Sequence, residues 1–158
     1  MLNRIKAFLS SPTPGTGGFD EVQVAAVALL VRAATIDSDF SAADRATIRA
    51  IVERSFRLDE AEIARLIAIA EGEEAETLDL FRWAQAIKQH MSENERVGLI
   101  EEMWEVVYAD GHVDDFEANL LRRVAGLIYV PDVLSGAARQ RVLARRGNSK
   151  ENGSKALD

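Results

Sequence analysis

Apolar residues recur at spacings of three and four from about residue 20 to about residue 145, the period that turns one side of an α-helix toward a core. Val24, Val27, Ala28, Val31 and Ala34 make the first such face, and Ile48, Ile51, Val52 and Phe56 the second. Ile63, Leu66, Ile67 and Ala70 follow, then Leu78, Phe81, Ala84 and Ile87, then Leu99, Met103, Val106 and Val107. Leu120, Leu121, Val124, Leu127 and Ile128 form a sixth stripe, and Val133 to Leu143 a seventh. Period-two alternation is not sustained in this stretch, so no half-buried strand is expected. The pattern predicts an all-α fold, a compact bundle of about seven helices.

Polar punctuation sharpens the boundaries. Ser41 with Asp44, Asp59 with Glu62, Ser92 with Glu95 and Asp114 with Glu117 each place a short acceptor three residues before a carboxylate. That is the spacing of a capping box, which satisfies the orphan N–H groups of a first helical turn. Pro131 before Asp132 separates the last two helices. The stretch from Ser10 to Gly18 is rich in Pro, Gly, Ser and Thr and reads as a linker. The chain thus divides into residues 1–19 (an amphipathic segment and linker), a helical domain at 20–146, and a polar, disordered tail at 147–158. In the first segment Leu2, Ile5, Phe8 and Leu9 fall at helical spacing around Arg4 and Lys6. Packing on the chain's own domain is the expected role of residues 1–9, with peripheral contact to an anionic membrane as the alternative.

Composition narrows the chemistry. The 158 residues include no Cys, which removes disulfides, thiolate metal sites and a Cys nucleophile. His90 and His112 have no Ser placed for nucleophilic catalysis and read as solvated or helix-end residues; His112 beside Asp110 is poor evidence for zinc. No phosphate-cradling glycine motif is present, so no enzyme activity is expected. The net charge of −7 argues against nucleic-acid binding. Residues 20–135 carry 24 acidic and 11 basic side chains, while both ends are basic. Arg139, Arg141, Arg145 and Arg146 read as a basic helix end available to a separate contact, and Glu71, Glu73, Glu74 and Glu76 as a solvated loop around Gly72. Trp83 and Trp104 read as core. With no 18-residue apolar run and no secretory leader, a cytoplasmic location is expected, with membrane association through residues 1–9 as its variant.

Sliding the chain against itself by 73 residues aligns 27–59 with 100–132, which suggests two pseudo-symmetric helix–loop–helix units. Asp37 then meets Asp110, Phe40 meets Val113, Asp44 meets Glu117 and Ile48 meets Leu121. Each loop gathers carboxylates: Asp37, Asp39 and Asp44 in the first; Asp110, Asp114, Asp115 and Glu117 in the second. Oxygen ligands at this density suit a hard cation such as Ca²⁺ or Mg²⁺. An EF-hand is excluded, because the sixth position from Asp37 is Ala42 and the twelfth is Ile48. Capping explains Asp44, Asp114 and Glu117 without a ligand. It does not explain Asp37 and Asp110, which sit at helix C-terminal ends where the dipole disfavours a negative charge. A cation at Asp37, Asp39, Asp44, Asp110, Asp114 and Glu117 is one expectation, and a basic protein partner on the same acidic face is the other.

The run from Ala109 to Val130 (ADGHVDDFEANLLRRVAGLIYV) resembles the signature of the TerB-like family, with Ala109, Asp110, Gly111, Val113 and Glu117 at its marked positions. Ile36 to Asp44 is a looser copy, with Ser38 in place of the glycine and Asp44 in place of the glutamate. The resemblance covers about residues 20–132. It implies an all-helical bundle and a bacterial stress protein linked to tellurite resistance, suspected of divalent-cation binding and without an established enzyme activity. A related co-chaperone domain implies the interaction role as the alternative. With no thiol in the chain, any part in tellurite chemistry must be indirect.

Overall fold

The computed structural model describes residues 18–36, 39–76, 80–109 and 113–155, with side chains described except at 74–76 and 148–155. Among these residues the chain is all-α, with helices α1 (Glu21–Thr35), α2 (Ala42–Phe56), α3 (Glu60–Glu76), α4 (Leu80–His90), α5 (Glu93–Val107), α6 (Asp115–Leu127) and α7 (Asp132–Lys155). Residues 1–9, and with them the expected amphipathic segment, lie outside the described residues.

α1 is the axis of the bundle. The expected stripe of five residues widens to ten, because Ala25, Ala26, Leu29, Leu30 and Ala33 are buried as well. A helix that is apolar all round must be covered all round, and α2, α3, α4, α5 and α6 all pack against α1. Five alanines on α1 let those neighbours approach closely. The other helices are amphipathic in the ordinary way: α2 buries Ile48, Ile51 and Val52 and leaves its opposite side in water.

Helix starts follow the predicted chemistry. The Ser41 hydroxyl accepts the Asp44 N–H at 3.0 Å while the Asp44 carboxylate accepts the Ser41 N–H at 3.0 Å. The same exchange joins Asp59 with Glu62, Ser92 with Glu95 and Asp114 with Glu117. At α1 the Gln23 side chain accepts the Asp20 N–H at 3.1 Å, in a further capping box. The end of α6 closes in a Schellman motif: Val130 N–H reaches Ala125 C=O at 2.8 Å, and Tyr129 sits left-handed at φ 59° where glycine is usual.

Some segments differ from what the pattern suggested. Phe19, just ahead of α1, is buried under the Arg65 guanidinium, 4.9 Å from its ring centre. The acidic stretch around Gly72 is not a loop, because α3 runs through it to Glu76. Arg45 pairs with Glu71 at 2.6 Å and Arg82 with Glu73 at 2.8 Å, which offsets the repulsion among these acids. α7 continues to Lys155, past the expected domain end at residue 146; a helix already nucleated extends with one new hydrogen bond per residue fixed.

α7 docks on α5 through a polar seam. The Trp104 indole donates to the Ser135 hydroxyl at 3.3 Å. The Arg139 guanidinium stacks 4.7 Å from the Trp104 ring centre and donates to the Tyr108 hydroxyl at 2.8 Å. One Glu101 oxygen accepts from Arg141 and the other accepts from Arg145 at 3.0 Å. The expected free basic end is therefore consumed inside the fold at Arg139, Arg141 and Arg145.

Candidate functional site

The first acidic loop joins α1 to α2, and the second joins α5 to α6. Each is pinned by one apolar side chain at its repeat-matched position, Phe40 in the first and Val113 in the second, both half-buried against the core. Arg45 covers the Phe40 ring at 4.8 Å. Asp37, Asp110 and His112 lie outside the described residues.

Of the remaining candidates, Asp39 is exposed, Asp44 and Asp114 are half-buried, and Glu117 is buried at 5% exposure. Asp44, Asp114 and Glu117 each commit one carboxylate oxygen to a backbone N–H of the capping boxes. Among the described residues the structure brings Asp114 and Glu117 together, but gathers no three potential ligand side chains into a metal-holding group. Nor do the loops start from a common end of α2. The first loop leads into the N-terminus of α2, whereas the Arg54–Glu105 ion pair (2.9 Å) sets the last turn of α5, which enters the second loop, against the C-terminal turn of α2. Asp44 and Arg54 are separated by roughly 15 Å of helix rise. The described donors alone do not make a Ca²⁺ or Mg²⁺ site. A complete set at either loop would draw on Asp37 or Asp110.

Where the arginines go matters for the loops. The ion pairs resolved run to glutamates on helix flanks: Arg45 to Glu71, Arg49 to Glu60, Arg54 to Glu105, Arg82 to Glu73, and Arg141 and Arg145 to Glu101. Among the described residues, Asp39, Asp44, Asp114 and Asp115 have no cationic side-chain partner. Six arginines of the fold instead pair with these helix-flank glutamates.

A second feature was missed in the sequence. An open groove of about 630 Å³ runs between α2 and α3 beside Phe40, lined by Ala42, Ala46 and Ala50 with Arg45, Arg49 and Ile63. The signal was the alanine spacing of four on the outer side of α2, which also reads as plain helix propensity.

Two neighbouring glutamates of α5, Glu101 and Glu102, are shifted in opposite senses. Burial alone would raise the Glu101 carboxyl, but the hydrogen bonds from Arg141 and Arg145 outweigh it and hold it below its ordinary value. Burial pushes Glu102 up, against the Ser55 hydroxyl that donates to it at 2.7 Å and the nearby Arg54. A depressed carboxyl adds stability at neutral pH that is lost as pH falls through its folded value. A raised carboxyl does the reverse, favouring the fold below its folded value and costing stability as pH rises through it. Glu101→Gln should therefore cost about 1 kcal/mol at pH 7, the range of a partly exposed ion pair, and little in acid. Glu102→Gln should stabilise the protein at pH 7 and flatten the loss of stability that sets in as pH rises above the ordinary carboxylate range. Urea unfolding at several pH values checks both signs.

These features define a helical domain with an apolar core filled by its own helices, polar loops between them and, among the described residues, no group of three or more side chains placed to hold a metal ion. The family model described as "Tellurite resistance protein TerB" matches residues 23–140, and the chain belongs to that family. No curated protein and no solved structure matches the chain. No helix among the described residues is long and apolar enough to cross a membrane.

Proposed function

We propose that this chain is a non-enzymatic binding protein of tellurite or metal stress, and that its acidic loops are two separate cation-attracting points. The observation that carries the reading is the unneutralised charge of Asp39, Asp44, Asp114 and Asp115, in a fold whose resolved ion pairs all use helix-flank glutamates. Each loop would hold a divalent cation, Ca²⁺ or Mg²⁺, largely through water, with Asp37 or Asp110 completing the ligand set. One oxygen of Asp44 and one of Asp114 remain available beyond the capping bonds. The two loops are read as copies, supported by N-caps at Ser41 and Asp114 and by capping carboxylates at Asp44 and Glu117, each pair 73 residues apart.

Calorimetry with Ca²⁺, Mg²⁺ and Zn²⁺, joined to thermal unfolding, tests this reading. Saturation of a specific site at about 100 times its dissociation constant adds about 2.7 kcal/mol to stability. The gain should vanish in the Asp37→Asn/Asp110→Asn double variant. Absence of heat and of any melting shift would sink the cation reading.

A scaffold role against a basic protein partner on the same acidic face is the second reading, favoured by the loop charge of Asp39, Asp44, Asp114 and Asp115. It expects partners that survive chelation and are lost when the loop carboxylates are neutralised.

A further inference from the structure

Trp83 on α4 is 2% exposed, and among the described residues its indole nitrogen has no hydrogen-bond partner. The other indole, Trp104, donates to Ser135. Buried N–H groups in native structures almost always find an acceptor, from protein or from ordered water. Trp83 lines a cavity of about 10 Å³, together with Glu21 from the first turn of α1, Glu73 from α3 and Arg82 from α4. That volume is close to the minimum, about 10–15 Å³, that admits a single water molecule.

We propose that this cavity is a built water site, holding one molecule that accepts from the Trp83 indole and donates to the Glu73 and Glu21 carboxylates. The donor and acceptor balance selects the occupant. A metal cation would meet an indole N–H and the Arg82 guanidinium, both positive at their hydrogens. An anion would meet two carboxylates. Water can accept once and donate twice, and three bonds is the usual number for a buried water. Glu73 already accepts from Arg82 at 2.8 Å, which leaves further lone pairs on its carboxylate. The molecule would tie together the start of α1, the last turns of α3 and the beginning of α4, where direct side-chain bonds leave the indole unserved. This inference is independent of the loops.

Nuclear magnetic resonance of the ¹⁵N-labelled full chain tests it, because two tryptophans give two indole signals, assigned with Trp83→Phe. The Trp83 indole proton should show a cross-peak at the water frequency with the sign of a long-lived bound molecule, and the Trp104 indole should show none. Glu73→Leu should abolish that cross-peak while the remaining spectrum keeps its native dispersion. Absence of the cross-peak in the unaltered chain, or its persistence in Glu73→Leu, overturns the assignment. A high-resolution crystal structure of the unaltered chain gives a second reading that needs no variant. Density for a water within about 3.2 Å of the Trp83 indole nitrogen supports the site; an empty cavity, or a protein acceptor from residues 74–79, overturns it.

Discussion

Leu29→Ala should lower the unfolding free energy by about 3–5 kcal/mol, the range for deleting a fully buried leucine where the surroundings cannot collapse. Leu29 has no exposed surface and lies on the helix that α2 through α6 all enclose. Neighbours on every side are held by contacts of their own, so little can move in to fill the void. Domains of this kind are stable by about 5–15 kcal/mol, so the change removes a large fraction of the margin. In thermal unfolding it should appear as a fall of roughly 10 °C. Val133→Ala, at a side chain 81% exposed, is the control and should change stability by under about 0.5 kcal/mol. A loss below about 1 kcal/mol for Leu29→Ala would show that α1 is not the enclosed axis described above.

Trp104→Ala is the second large effect, again about 3–5 kcal/mol. Beyond the cavity, it strands the Ser135 hydroxyl and removes the surface on which Arg139 stacks. Trp104→Phe keeps the ring and loses the indole donor, and should cost about 1–2 kcal/mol. Because Arg139 touches both Trp104 and Tyr108, a double-mutant cycle of Trp104→Ala with Arg139→Ala should depart from additivity by about 0.5–1 kcal/mol. The damage should be local as well as global. α7 packs on α5 and α6, so limited proteolysis of Trp104→Ala should cut first within α7. Cleavage spread evenly over the chain would contradict a seam that holds this helix alone.

Much of the fold was legible because the periodicity of buried residues and the capping spacings report one physical demand, that helices hide one side and satisfy their first turn. Each of the seven stripes falls on one of the seven helices, although Phe81 of the fourth and Val133 of the seventh face water and Leu78 lies outside the described residues, and the four capping boxes are formed at Ser41, Asp59, Ser92 and Asp114. Less legible was anything set by distant partners. Glu71 and Glu73 read as a loop because their neutralising arginines lie elsewhere in the chain, on α2 and α4. Arg141 and Arg145 read as free because Glu101 sits some forty positions away. α1 read as one-sided because alanine is weakly apolar and its burial is decided by who surrounds it. At the loops, the sequence could show which carboxylates are near one another along the chain. It could not show that the second loop is entered beside the far end of α2 from the first.

The central position of α1 gives the protein an internal clock. Backbone amides in the middle of this helix have no route to solvent that leaves the surrounding helices in place, so their hydrogen–deuterium exchange must wait for opening of the whole domain. The slowest of them will report the global free energy directly. A ligand that favours the folded chain, wherever it docks, should slow those amides by the same factor by which it stabilises the fold. The amides of Leu29 and Leu30 can thus register a binding event at either loop without a probe placed there.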